Sequence, residues 1–182
     1  MSNLQKTIYL AGAMTLKQDL GAGWREHKTA FFEELGYVVQ NPCNFEKDIW
    51  KPEILLHGCE HMRDLKIKDV DAHSEIMEKI ERKDVNAILA SDEVLFLLDK
   101  ECFAKWNEIN HHLDITDGTP FELKDAYKAK KSMWFIIDMP LHDLPSWTLW
   151  RVVKYGKKNH RIFYNWRGFE KVFREYSEEA SS

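Results

Sequence analysis

The sequence predicts an α/β protein: a single domain on a doubly wound, five-stranded parallel sheet. Two observations predict it. Lys6–Gly12 (KTIYLAG), Ser91–Asp99 (SDEVLFLLD) and Ser132–Asp138 (SMWFIID) are apolar runs of strand length without polar alternation, as expected of strands buried on both faces. Between them lie segments with apolar residues at helical spacing, so strand and helix alternate along the chain.

Lys6–Gly12 reads as the first strand, ending in a turn at Gly12. The loop after it, Ala13–Gly23, holds Gly21, Ala22 and Gly23, which permit unusual backbone angles or close approach. Trp24–Leu35 follows as an amphipathic helix with Trp24, Lys28, Phe31, Phe32 and Leu35 near one face, closed by Gly36. Tyr37–Gln40 is a short second strand stopped by Asn41-Pro42, completing one βαβ unit. Cys43–Val70 reads as short helices and loops packed over the sheet, and Asp71–Ala90 as a long helix leading into the third strand. Lys100–Asp114, with Trp106, His111 and His112, is a polar connection of a length that marks functional or interface segments. Pro120–Lys130 is the next helix, Ser132–Asp138 the fourth strand, Leu141–Trp150 a loop or short helix, and Arg161–Asn165 the fifth strand. Gly168–Glu175 closes the domain (residues 1–176) as a helix, and residues 177–182, rich in Ser and Glu, read as a frayed tail.

Composition narrows the function classes. The 182 residues carry a net charge of −4 with both signs interspersed, and no Lys/Arg block, RNP-like, helix-turn-helix or zinc-finger spacing appears, so a nucleic acid polymer is not the expected partner. Cys43, Cys59 and Cys102 are odd in number and widely spaced, which fits a reducing cytoplasm. No signal-like start and no run of membrane-spanning length is present, so a soluble protein with no membrane partner is expected. His57, Cys59 and His61 lack zinc-site spacing, and no metal is expected there. Gly12 begins no GxGxxG, which argues against a dinucleotide oxidoreductase, and no cofactor is expected. Aromatics are plentiful: Trp24, Trp50 and Trp106 are candidates to stack on a base, or to pack in a core or interface.

Three side chains draw attention to chemistry. Thr119 suits an N-cap, Pro120 the first helical position, and Glu122 the capping-box position three residues on. Glu122 thus sits in the first turn of a helix beyond the carboxyl end of a buried strand, where open α/β sheets keep their ligands. Capping alone also explains it. Asp84 falls midway along the stripe of Met77, Ile80, Ala87 and Ile88, four residues from Ile80 and four from Ile88, so it faces inward. A buried carboxylate is costly unless paired or used, so Asp84 and Glu122 suggest a two-carboxylate pocket; backbone amides satisfying Asp84 are the alternative. Tyr9, on the first strand, reads as core or as a hydroxyl emerging at its end.

Taken in order, Ile8-Tyr9-Leu10-Ala11-Gly12, Leu35-Gly36-Tyr37-Val38-Val39 with Asn41-Pro42, Asp84 eight residues before Asp92, and Gly118-Thr119-x-Phe121-Glu122 with Ala126 resemble the nucleoside 2-deoxyribosyltransferase family, which includes relatives that hydrolyse nucleoside 5′-monophosphates. The resemblance covers most of the chain through Asp138. It implies a flavodoxin-like fold, a homodimer or higher oligomer, and a pocket at the carboxyl ends of the strands. By position it implies Glu122 as nucleophile, Tyr9 as the hydroxyl that orients it, Asp84 as a carboxylate near base and sugar, and Asp92 as structural. Six residues before the nucleophile, transferases of this family often carry an Asp and monophosphate hydrolases a Ser; here Thr116 stands there. A neutral hydroxyl together with the Gly118 and Thr119 amides at a helix N-terminus suits a phosphate; Arg25, beside the Gly-rich loop after the first strand, is a candidate second phosphate contact or a solvated helix-start residue, and Gly12 is a further candidate substrate-binding residue. The neighbour-subunit Asn of many transferases has no clear counterpart in Met139-Pro140-Leu141-His142.

Two function classes follow. One is an enzyme cleaving or exchanging the N-glycosidic bond of a (deoxy)nucleoside or its 5′-monophosphate. The other is a non-catalytic nucleotide-binding sensor or regulatory module with the same pocket. The presence of Tyr9, Asp84 and Glu122 together favours the enzyme.

Overall fold

Five parallel strands form the sheet that positions everything else. In the computed structural model, which describes residues 5–14, 17, 19–45, 49, 64–107, 112–116 and 118–181, these strands are β1 (Thr7–Gly12), β2 (Val38–Gln40), β3 (Glu93–Leu98), β6 (Ser132–Ile137) and β7 (Ile162–Phe163). Two further strands, β4 (Ala104–Asn107) and β5 (His112–Ile115), pair antiparallel as a separate ribbon, with Ala104 opposite Ile115. The main sheet runs β2-β1-β3-β6-β7 with every pairing parallel. Numbered within this sheet the order is 2-1-3-4-5, the flavodoxin-like arrangement, and the strand order reverses between β1 and β3.

The two faces of the sheet are covered by different helices, and the parity of the strand residues decides which. Helices α1 (Ala22–Glu34), α2 (Pro42–Phe45), α3 (Val70–Ala90), α4 (Gly118–Lys128), α5 (Ser146–Val152) and α6 (Trp166–Ser181) follow in chain order. Ile8, Leu10, Leu95, Leu97, Trp134 and Ile136 point to one face, where they bury Phe31 and Phe32 of α1 and Phe169 and Phe173 of α6. Tyr9, Ala11, Val94, Phe96, Met133 and Phe135 point to the other, against Ile88 of α3, Leu123 and Ala126 of α4, and Val152 of α5. Strands buried on both faces have no polar side, which is why β3 reads as an unbroken apolar run.

Differences from the sequence expectations have local causes. The Lys100–Asp114 connection is not plain loop: a 3-10 turn over Lys100–Cys102 leads into the β4–β5 ribbon, whose polar residues hide it from an apolar-run reading. Helix α4 begins at Gly118, so Thr119 lies inside the helix and is not its N-cap, and Pro120 is its third residue. Proline is tolerated there because the first-turn amides have no intrahelical acceptor. Helix α6 continues through Ser181 rather than ending at Glu175, because Phe169, Phe173 and Ser177 form a buried stripe at helical spacing. Trp50, His57, Cys59, His61 and His111 lie outside the described residues.

Candidate active site

Tyr9 is the third residue of β1, a strand hydrogen-bonded on both sides, to β2 through Gln40 and to β3 through Val94. Its parity sends the ring to the face covered by α3 and α4, where the side chain is fully buried. Asp84 sits on α3 between the buried Ile80 and Ile88, and is half-buried. The inward stripe therefore holds as the spacing predicts, with the carboxylate at its middle. Glu122, also half-buried, is the fifth residue of α4, next to the buried Leu123. Helices α3 and α4 are neighbours on the sheet, so the two carboxylates approach the same strand from adjacent helices.

They meet at one oxygen. The Tyr9 hydroxyl lies 2.9 Å from Asp84 Oδ1 and 2.6 Å from Glu122 Oε1. These contacts join residues 75 and 113 positions apart in sequence. By these two contacts the bonded oxygens of the two carboxylates are at most about 5.5 Å apart.

In solved structures, the chain is similar to two 2-deoxyribosyltransferases. One, from Leishmania mexicana, shares 19% identity over 83% of this chain and 71% of that chain, with a TM-score of 0.45. The other, from the psychrotolerant bacterium Bacillus psychrosaccharolyticus, shares 12% identity over 90% of each chain, with a TM-score of 0.48. No family model and no curated protein matches the chain.

The residues expected to bind substrate divide into two groups. Gly118 is exposed at the start of α4, with open space where a Cβ would stand, and Thr116 is half-buried just ahead of it, its amide donating to the Phe103 carbonyl at 3.0 Å. Both flank the turn that carries Glu122. The other three are committed to packing. Arg25, expected as a phosphate contact or a solvated residue, is neither: it is fully buried, and its guanidinium donates to the carbonyls of Leu10 (3.1 Å), Gly12 (2.7 Å), Gly21 (3.0 Å) and Ala13 (3.4 Å). It clamps the end of β1 to the start of α1. Gly12 is required by crowding, since a Cβ there would lie 3.1 Å from both the Leu97 carbonyl and the Trp24 ring. Thr119 is 5% exposed and its side chain hydrogen-bonds with the Cys102 thiol. Burial, reinforced by the Asp99 charge, pushes that thiol up to about 12.

Two features of the surroundings escape sequence reasoning. Lys17, in the loop after β1, bridges Asp99 (2.7 Å) and Glu101 (2.9 Å) just past β3, tying two strand-end loops together. Partial burial opposes its charge, but hydrogen bonds to Asp99 and Glu101 outweigh that and raise its pKa. Asp19 accepts from the Gly21 and Gly23 amides at 2.9 Å each, shaping the turn into α1; those bonds lower its pKa despite some burial. Gly21 adopts a left-handed φ of 69°, and a Cβ there would strike Arg25 and the Ala13 carbonyl. Asp92 accepts from the Thr7 amide at 2.8 Å at the start of β1. Among the described residues, no group of three His, Cys, Asp or Glu could hold a metal ion, and no helix is long and apolar enough to cross a membrane.

Proposed function

We propose that this chain is a nucleoside 2-deoxyribosyltransferase-like enzyme that cleaves or transfers the N-glycosidic bond of a (deoxy)nucleoside or its 5′-monophosphate, with Glu122 as nucleophile. The observation that carries the reading is the Tyr9 hydroxyl held between Asp84 and Glu122. A hydroxyl donates one hydrogen bond, so both contacts are good when one of the carboxyls carries a proton. The Tyr9 hydroxyl is within donating distance of both carboxylates, and the shorter contact is to Glu122, which it orients.

That arrangement suits glycosidic cleavage. Breaking the bond builds positive charge on the anomeric carbon, and the Glu122 carboxylate stabilises it and closes on it as an ester. The base departs with the bonding electron pair and takes a proton, which Asp84 is placed to supply or relay. Water or a second base then displaces Glu122, and Asp84 accepts the proton back. The neutral Thr116 and the backbone amides at the start of α4 favour a phosphate on the sugar, so the 5′-monophosphate is the preferred substrate in this reading. Arg25 has no part in it. We further propose a cytoplasmic protein working in nucleotide salvage as a homodimer or higher homo-oligomer.

The test is Glu122→Gln and Asp84→Asn, measured by chromatography of free base released from a panel of deoxynucleosides and deoxynucleoside monophosphates, with and without a second base. Loss of base release by more than about a hundredfold with an unchanged melting temperature is expected for Glu122→Gln. Exchanged product in the presence of a second base marks a transferase, and free sugar phosphate a hydrolase. Wild-type rates in both variants would sink the assignment, and a wild-type chain that binds nucleotides without releasing base would make it the non-catalytic module.

A further inference from the structure

Helices α4 and α5 leave an aromatic, positively charged cleft between them that the proposed chemistry does not use. It has a volume of about 350 Å³ and is lined by Pro120, Phe121 and Lys124 of α4 and by Trp147 and Arg151 of α5. Trp147 is 73% exposed and Phe121 47%, large apolar surfaces for a water-facing position. Trp150, 43% exposed, meets Trp147 edge to face at 6.1 Å and extends the aromatic surface beyond the cleft. Cations accompany the rings: Lys124 Nζ stands 4.4 Å from the Phe121 ring centre, and Lys154 Nζ 4.9 Å from that of Trp150. One Arg151 nitrogen donates to the Trp147 backbone carbonyl at 3.2 Å, and its guanidinium stands 5.9 Å from the Trp150 ring centre. Among the described residues, no carboxylate lines the cleft. The stretch from Leu144 to Phe169 holds six Lys and Arg and no Asp or Glu, in a chain whose net charge is −4.

We propose that this cleft is a second ligand site, taking a nucleoside phosphate. The chemistry of the lining defines the ligand. Two exposed π faces select a flat aromatic group, because stacking is sequence-tolerant and effective where one ring face is already dry. An ammonium and a guanidinium at the rim select an anion, the guanidinium matching a phosphate with two parallel donors. The volume lies at the lower end of small-ligand pockets, enough for one base and its phosphate. Such a ligand stacks its base on Trp147 and Phe121 and sets its phosphate on Lys124 and Arg151. The site is separate from the carboxylate pair: Glu122 is not among its lining residues, which lie on a different side of α4 from the core-facing Thr119, Leu123 and Ala126.

The experiment is calorimetric titration of adenosine 5′-monophosphate into the full chain carrying Glu122→Gln, a background chosen to prevent turnover, with and without Trp147→Ala or Arg151→Gln. Inorganic phosphate and adenosine serve as part-ligands. A binding event is expected that weakens about tenfold with Trp147→Ala and by a similar factor with Arg151→Gln, and that either part-ligand reproduces only weakly. Trp147 is largely exposed, so its loss is not expected to disturb folding, which circular dichroism checks. Three results would overturn the proposal: no saturable binding, binding indifferent to both substitutions, or a change of sedimentation with Trp147→Ala that identifies the cleft as a subunit contact. Because the readout is the part of the binding that Trp147→Ala and Arg151→Gln remove, and not total binding or base release, failure here leaves the Glu122 chemistry untouched, and failure of that chemistry leaves this site standing.

Discussion

Replacing Tyr9 by Phe removes one oxygen atom and tests the coupling on which the proposed chemistry depends. The ring stays, fully buried against the α3–α4 face, so packing is preserved. What is lost is the donor 2.6 Å from Glu122 and its partner contact 2.9 Å from Asp84. A hydrogen bond to a charged group contributes about 1.5–3 kcal/mol, which corresponds to a fall in kcat/KM of about 10- to 150-fold if the bond orients the nucleophile. The assay is base release from a deoxynucleoside monophosphate across pH, alongside a thermal melt. Both carboxylates are half-buried and can hydrate, so the melting temperature should change by only a few degrees. A variant with kcat/KM within twofold of wild type would refute the coupling.

Two stability predictions separate scaffold from site. Arg25→Met strips four backbone carbonyls of their buried donor and should cost about 3–5 kcal/mol in urea unfolding; unchanged stability with a raised KM would mean that Arg25 contacts substrate after all. Tyr37, whose hydroxyl donates to the buried Glu93 at 3.1 Å, has its pKa raised above the ordinary value of 10.0, chiefly by burial. The unfolded chain therefore loses that proton first, so the Tyr37 contribution to stability is complete below pH 10 and declines above it. The stability difference between wild type and Tyr37→Phe should be constant from pH 7 to about 9.5 and shrink by pH 11 in urea titrations; a flat difference throughout would show that the hydroxyl titrates normally in the fold.

Much of this architecture is legible in the sequence because sheet strands buried on both sides leave no room for polar residues: β1, β3 and β6 stand out as apolar runs. Asp84 is legible for a related reason, since Ile80 and Ile88 fix which side of α3 faces in. Arg25 is not, because its partners are backbone carbonyls of β1 and of the loop after it and carry no side-chain signature. The one clue was its spacing, three and seven residues before the buried Lys28 and Phe32. The start of α4 misleads because Thr-Pro-x-Glu fits a cap at Thr119 as well as the helix beginning at Gly118 that the backbone adopts. The cleft between α4 and α5 leaves no pattern at all: Phe121 and Trp147 are far apart in the chain and become neighbours only when both helices settle on the sheet.

The hydroxyl of Tyr9 is synthesised early and waits. Its nearer carboxylate partner emerges 113 residues later, after β3 has been made and must already have slid in beside β1. No local nucleus, hairpin or helical pair can assemble that meeting point ahead of the rest, since loops of such length close late. During refolding, recovery of the proposed activity should therefore coincide with the slowest global phase, making turnover itself a reporter of complete topology.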